Sequence, residues 1–488
     1  MSARHWLCLG CALTLMSGCS VGPDYKPPTK PAGAEAPLVS LDDKAETSVE
    51  PPDDWWQLYQ DARLDALLRE AFTANADLAA AQANLTAASA LVAAAKAGRY
   101  PDTRIAAGGV RGRDAVTDEI LELGGHEPQT VWLIDDVLEV SYEVDLFGRV
   151  RRSVEAAHAQ TEAALESRND ALVSLEAEVA QTYMQLRGAQ ALRQITQSLV
   201  DQQDEIVRLT QSQAKVGLAS ELDVKSAAAQ LAQTQAQLPQ YDQQIEQALN
   251  GLSYLLGEPP GSLATELSAP AAVPPVPPAV PVGLPSTLAR RRPDIRRAEA
   301  SLHAATADVG VAVAQFYPDI SLTGQVGTRA TNASGLTHWS SLFYSFGPSI
   351  SLPIFEGGSL VANLHLSQAQ QQQAALEYRK TVLMALRDVD NALAVYRTDQ
   401  ARRAALGDSV AALQASFELA RDSYRKGLVT FINVLDAERQ LSDAQQQYTQ
   451  GTTQVSTDLV ALYKALGGGW QAGAADGGGA GGSATGAR

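Results

Sequence analysis

Six histidines, three cysteines and 55 acidic side chains are the material from which this 488-residue chain would have to build any chemistry. His5, His126, His158, His303, His338 and His365 are scattered, and none has the spacing to a carboxylate or cysteine that a metal centre needs. The sequence carries neither a nucleophile elbow nor a phosphate-cradling glycine loop. Asp and Glu are plentiful, but no pair stands out as a general acid and base. Arg290, Arg291 and Arg292 form a basic cluster that would suit an anion. Directly before a proline, such a cluster reads more simply as a solvated helix start with salt bridges. Pro293 fits the first helical position and Asp294 the positive helix end. The expectation is a protein without catalytic residues, metal or cofactor, and not an enzyme.

Cys19 is the side chain with a defined modification chemistry. Residues 6–16 form an apolar run behind Arg4 and His5, too short to span a bilayer and suited to the core of a signal peptide. Leu15-Met16-Ser17-Gly18-Cys19 resembles a bacterial lipobox, in which removal of residues 1–18 leaves Cys19 as the acylated first residue. Met16 stands where Leu is more usual. Cys8 and Cys11 leave with the signal, so a disulfide framework is ruled out. Ser20 rather than Asp follows Cys19, which by analogy directs the lipoprotein to the outer membrane. Two or three acyl chains hold firmly where one holds only marginally.

The balance of 38 basic against 55 acidic residues, and the lack of a basic aromatic patch, argue against nucleic acid. Aromatics are few while Ala and Gln abound, a composition that favours long helices over a thick aromatic core.

The elements that would position these groups follow in order. Residues 19–60 read as a proline-rich extended tether. A helix is expected over 61–98, ended by Tyr100-Pro101. Strands are expected at 103–111 and 131–147, separated by an acidic loop at 114–129. Residues 150–215 contain no proline, and Leu165, Leu172, Val179 and Leu186 recur every seven residues as a coiled-coil seam. At ~1.5 Å per residue such a helix is on the order of 100 Å long. Gly217 and Ser220 break it, and a further helix covers 222–256, with a kink expected at Pro239. Residues 269–285 are a proline-rich linker. Strands then follow at 320–329 and 345–355, and a second long helical hairpin runs to 466. The Gly/Ala-rich tail 467–488 is expected to be disordered.

The second half repeats the first. Tyr100-Pro101-Asp102 corresponds to Tyr317-Pro318-Asp319, and Asp77-Leu78 to Asp294-Ile295. At a second offset Val216-Gly217-Leu218 meets Lys426-Gly427-Leu428, Ala227 meets Ala437, and Leu252 meets Leu462. Residues 61–268 and 286–466 are thus two structural repeats with one shared order of elements.

Along residues 345–355 Phe346, Pro348, Ile350, Leu352 and Ile354 face one way and Ser345, Gly347, Ser349 and Ser351 the other. Residues 137–147 alternate likewise, with Glu139, Glu143 and Asp145 on the polar side, a pattern that would make a lumen electronegative. Four such strands cannot close a membrane barrel, and an open edge in lipid is forbidden. The chain must oligomerise or not span at all. Ala-rich helices with Gln on wet sides suit a hollow tube, so the architecture points to a channel. A structural coiled-coil lipoprotein spanning the periplasm without transport would need the helices but not the strands. A periplasmic enzyme would need a compact core that these long segments do not supply.

Several blocks are specific: Val21-Gly22-Pro23-Asp24-Tyr25-Lys26-Pro27-Pro28 after Cys19; Trp55-Trp56 with Asp61, Leu64 and Leu67; Leu288 through Arg296 with Ala298-Glu299; Phe316 through Ile320; and Tyr424 through Gly427 with Val434-Leu435-Asp436-Ala437. With these the chain resembles the outer-membrane factor (TolC-like) family of tripartite efflux pumps, in its NodT/OprM-type lipoprotein branch. The resemblance implies an α+β membrane channel. A homotrimer would form a twelve-stranded outer-membrane β-barrel, four strands per chain, continued by a long periplasmic α-helical barrel. It implies outward passage of drugs or other small toxic compounds, received from an inner-membrane efflux pump of the RND type and a periplasmic adaptor (membrane fusion) protein. By position in the same block, Asp436 and Ile432 match the residues of the periplasmic aperture. Arg425, across the turn, would latch the closed state onto Asp436. Ser226 stands where the first hairpin would need Asp436, so the two tips are not equivalent.

Overall fold

The computed structural model describes residues 20–29, 39–40, 46–47, 49–113, 123–124, 130–217, 219–277, 280–283 and 288–471. The expected signal segment, Cys19, most of the acidic loop, Leu218 and the tail beyond residue 471 lie outside the described residues. Within them the order is β1 (Glu46–Thr47), α1 (Ala62–Ala74), α2 (Ala76–Ala97), β2 (Asp102–Gly112), β3 (Val131–Glu143), α3 (Arg149–Lys215), α4 (Glu221–Gln235), α5 (Leu238–Leu255), β4 (Val280–Pro281), α6 (Pro293–Ala314), β5 (Asp319–Ala330), β6 (Leu342–Ser351), α7 (Ser359–Arg425) and α8 (Phe431–Ala465), with short helical turns between. The repeat is literal in its lengths: α3 and α7 both have 67 residues, and α2 and α6 both have 22. The chain divides into two compact units, one of residues 1–28, 85–164 and 298–378, the other of 29–84, 165–297 and 379–488.

The first unit holds an antiparallel sheet in the order β2-β3-β5-β6, which leaves one open edge on β2 and one on β6. Register places Ile105 beside Leu138, Leu138 beside Val326, and Leu322 beside Pro348. The period-2 pattern therefore gathers Ile105, Trp132, Leu138, Leu322, Val326, Tyr344, Phe346 and Ile350 on one face, and all of them are exposed, Phe346 to 85%. The opposite face is polar, and its acids have partners. Arg104 pairs with Glu139 at 2.5 Å, Arg329 with Asp135 at 3.6 Å, and Arg149 with Glu143. The carboxylates on this face of β3 that would make a lumen electronegative are thus ion-paired within the chain.

Two strand ends differ from expectation for a local reason. β3 stops at Glu143 rather than 147, because Asp145 turns to cap α3, accepting from the backbone N–H of Val150 (3.1 Å) and Arg151 (2.9 Å). β6 covers 342–351 rather than 345–355. Pro348 lies within it, on an edge strand where its missing N–H costs little, and Pro353 follows it.

The segment that follows Cys19 is not a free tether. Val21 N–H donates to the Phe147 carbonyl at 3.1 Å, and Arg152 donates to Asp24 at 2.6 Å and Glu155 at 2.8 Å. Tyr25 stacks on His303 at 4.1 Å and donates to Glu299 at 3.1 Å. Gly22 (φ 87°) lies so close to α6 that a Cβ would sit 2.6 Å from Gly310 Cα.

The second unit has the thick core. Trp55 stacks on Tyr463 at 5.2 Å, Tyr59 donates to the Ser456 carbonyl at 2.6 Å, and Leu64, Leu67, Leu172, Val179, Leu186, Leu252 and Leu462 are buried around them. Of the heptad leucines only Leu165 stays exposed. The helix expected over 61–98 is split at Asn75. Its side chain caps α2 through Leu78 N–H (2.9 Å) and donates to the Leu255 carbonyl (2.9 Å). Pro239 opens α5 instead of kinking one long helix, since α4 has already ended at Gln235. The linker is partly a strand, with β4 pairing β1 in parallel. The tail is ordered as far as described: Trp470 donates to the Arg291 carbonyl at 2.8 Å, and Gly469 N–H to Glu176 at 2.9 Å.

Candidate functional site

Both helical hairpins turn through a left-handed glycine, Gly217 (φ 75°) after α3 and Gly427 (φ 71°) after α7. Beyond Gly217, Ser220 and Asp223 form a capping box. Ser220 Oγ accepts from Asp223 N–H at 3.2 Å, and the Asp223 carboxylate accepts from Ser220 N–H at 2.9 Å. Beyond Gly427, Thr430 occupies the equivalent N-cap, but its side chain makes no cap hydrogen bond.

The second tip is held by apolar packing instead. Phe431 is buried with Val207 and Ala227, against Ile206, Leu231, Tyr424 and Leu435. Phe417, Val434 and Leu441 form an adjoining cluster. The rings of Tyr424 and Phe431 lie 5.7 Å apart, and the Tyr424 hydroxyl donates to Gln213. A small cavity of about 50 Å³ opens here, lined by Arg421, Tyr424, Arg425 and Phe431 among others.

Ile432 and Asp436 stand one turn apart on α8 and share its exposed face, Ile432 at 60% exposure. Asp436 accepts from Gln440 at 2.8 Å. Arg425 is exposed, and among the described residues no ion pair joins it to Asp436. The structure thus brings Ile432 and Asp436 together and leaves Arg425 apart from them within one chain.

The arginine cluster is architectural. The Arg292 guanidinium binds Asp294 at 2.7 Å and donates to the Ala465 carbonyl at 2.9 Å, while Arg291 reaches Asp53 at 3.4 Å. These side chains are largely buried rather than solvated, because the end of α8 and the residues after it pack on them. Asp294 Oδ1 accepts from Ile295 N–H at 2.9 Å at the start of α6. Among the described residues no group of His, Cys, Asp and Glu is arranged to hold a metal ion.

Sequence reading missed Glu438. It is 2% exposed, and neither carboxylate oxygen has a hydrogen-bond partner of good geometry. Burial pushes its pKa up from 4.5 to about 7, and Gln203 opposes that shift. A signal was available. The buried stripe of α8 runs Phe431, Val434, Glu438, Leu441, so a carboxylate interrupts an otherwise apolar 3-4-3 spacing. Glu176 is a second buried acid, also raised to about 7 by burial and held by Trp55 Nε1–H at 3.3 Å and Gly469 N–H.

Known proteins share this architecture. The chain is 34% identical over 466 residues to the solvent efflux pump outer membrane protein SrpC of Pseudomonas putida, covering 94% of this chain and 97% of that one. It is 34% identical over 470 residues to the outer membrane protein OprJ of Pseudomonas aeruginosa, covering 95% of each. The solved outer-membrane channel OprN superposes with a TM-score of 0.83 at 36% identity, covering 93% of this chain and 100% of that one. The open-state Neisseria gonorrhoeae MtrE outer membrane channel gives 0.78 at 29% identity, covering 93% and 99%. The family model described as Outer membrane efflux protein matches residues 67–258 and 284–468, one span for each repeat, and the chain belongs to that family.

Proposed function

We propose that the protein is the outer-membrane duct of a tripartite efflux system, a passive conduit for small toxic compounds that performs no chemistry of its own. One observation carries this: a four-stranded sheet with two open edges and an exposed apolar face is stable in lipid only if other copies cover its edges. Three copies supply twelve strands, an even number within the range of membrane barrels. Cys19, acylated after loss of residues 1–18, would add an anchor near the docked segment that follows it. A periplasmic adaptor and an inner-membrane pump would feed the duct. The relatives include proteins named for solvent, toluene and antibiotic efflux, which favours apolar drugs and solvents as cargo.

The exposed Ile432 and Asp436 of three copies would form stacked rings at the periplasmic entrance, the apolar ring resisting wetting and the carboxylate ring favouring cations. Arg425 would latch this aperture through a contact made in the assembled trimer, because it has none to Asp436 within one chain. Planar-bilayer recording of the detergent-purified trimer tests the reading. Asp436→Ala is expected to lower cation selectivity and Arg425→Ala to raise conductance. Unchanged conductance and selectivity in both would remove the aperture from these residues.

A further inference from the structure

We infer that Glu438 is a proton-sensitive seat for α8: neutral, it lets α8 lie against α3, and ionised, it drives the start of α8, with Ile432 and Asp436, out of that contact. The position of the side chain carries the argument. Glu438 lies on the inward stripe of α8, between Val434 and Leu441, and is 2% exposed. Gln203 of α3 reaches its carboxyl, yet Glu438 Oε1, Glu438 Oε2 and Gln203 Oε1 all lack a hydrogen-bond partner of good geometry. A carboxyl held in a buried seam without a well-made hydrogen bond is tolerated there in its neutral form. An ionised Glu438 leaves a bare charge out of water, which is costly unless the helix moves to hydrate it.

Among the described residues no charged group offsets that cost. Glu205 and Arg208 on α3, Lys225 on α4, Arg421 on α7 and Asp436 and Arg439 on α8 are all on exposed faces, and none of them shifts the ionisation of Glu438. The repeat shows that the polar contact is not needed to build a hairpin. Shifted by the offset that relates Gly217 to Gly427, Gln203 corresponds to Leu413, and Glu438 to the exposed Ala228.

The sign follows from the direction of the shift. A carboxyl with a raised pKa in the seated state favours seating fully below its ordinary 4.5. That advantage is lost as pH rises from there through about 7, and little changes above. Acid therefore closes the seat and neutral pH loosens it.

The inference rests on the aperture reading only for its consequence, and the test separates the two. Hydrogen exchange of the amides of residues 431–441 is measured on the full-length trimer from about pH 5 to about pH 8, corrected for intrinsic chemistry. Protection in the native sequence is expected to fall by a factor on the order of 10 to 100 across that window. Glu438→Gln, neutral at every pH and nearly isosteric, is expected to keep its acid-side protection at the alkaline end. A flat profile in the native protein overturns the proposal without any variant. So does an equal loss in Glu438→Gln. Single-channel recording over the same range reads the aperture: pH-dependent protection with constant conductance supports the seat and refutes the aperture.

Discussion

The two hairpin tips have the same turn and are fastened by opposite means. At the first, Ser220 and Asp223 exchange two hydrogen bonds around the start of α4, and the first helical residue, Glu221, is exposed. At the second, the equivalent Thr430 caps nothing, and the first helical residue, Phe431, is buried among Val207, Ala227 and Tyr424. A capping box is directional and fixes the angle at which the helix leaves the turn. Apolar burial is not directional, so a helix held by it can shift while keeping most of its contacts. The second tip also carries Ile432 and Asp436 on its exposed face and Glu438 on its buried one. In this outer-membrane efflux channel, the tip fitted to move is the one bearing the proposed aperture.

The largest effect that would break this contrast is removal of Phe431. Phe431→Ala deletes the side chain that anchors the second tip and is expected to cost about 3 kcal/mol locally. Amide exchange over 431–441 should rise sharply while the first tip is unaffected. The equivalent change at the first tip, Glu221→Ala, removes an exposed side chain and should be nearly silent. Equal loss of protection at both tips would show that the two are fastened alike.

A smaller pair of substitutions tests what the tips share. Gly217 and Gly427 both have positive φ, and a Cβ added to either meets nothing within 4 Å. Gly217→Ala and Gly427→Ala should therefore each cost about 1 kcal/mol, from backbone strain alone. Thermal unfolding of the helical hairpins reads the two values. A clear inequality would mean that one turn bears a load the other does not.

Much of this was legible in the sequence because its signals are local. Tyr-Pro-Asp, the glycine turns and the strand alternation each declare themselves within a few residues, so the repeat and its order could be read without coordinates. Boundaries erred where a single polar side chain decided them. Asp145 ends β3 by capping α3, and Asn75 splits α1 from α2, and neither residue breaks the hydrophobic pattern. The docking of residues 20–28 was not legible, because their prolines announce an extended chain but not its partners. Arg152, Glu299 and His303 lie more than a hundred positions away. At the candidate site, Ile432 and Asp436 were singled out through family resemblance alone. Glu438 was overlooked although its break in the stripe of α8 was in plain view.

The finest test concerns the caps. Ser220→Ala removes one half of the capping box and should destabilise the start of α4 by about 1 kcal/mol. Thr430→Ala should change stability by only a few tenths, because no cap hydrogen bond is lost there. The converse change sharpens the point. Asn433 stands where the first tip has Asp223, so Asn433→Asp installs the acidic partner that Thr430 lacks. A completed box would stabilise the start of α8 by about 0.5–1 kcal/mol and fix its exit angle. Amide exchange at residues 431–434 should slow, and channel openings should become rarer. If exchange slows while openings keep their frequency, directional capping is not what distinguishes a fixed tip from a mobile one, and the burial of Phe431 and Glu438 alone sets the difference.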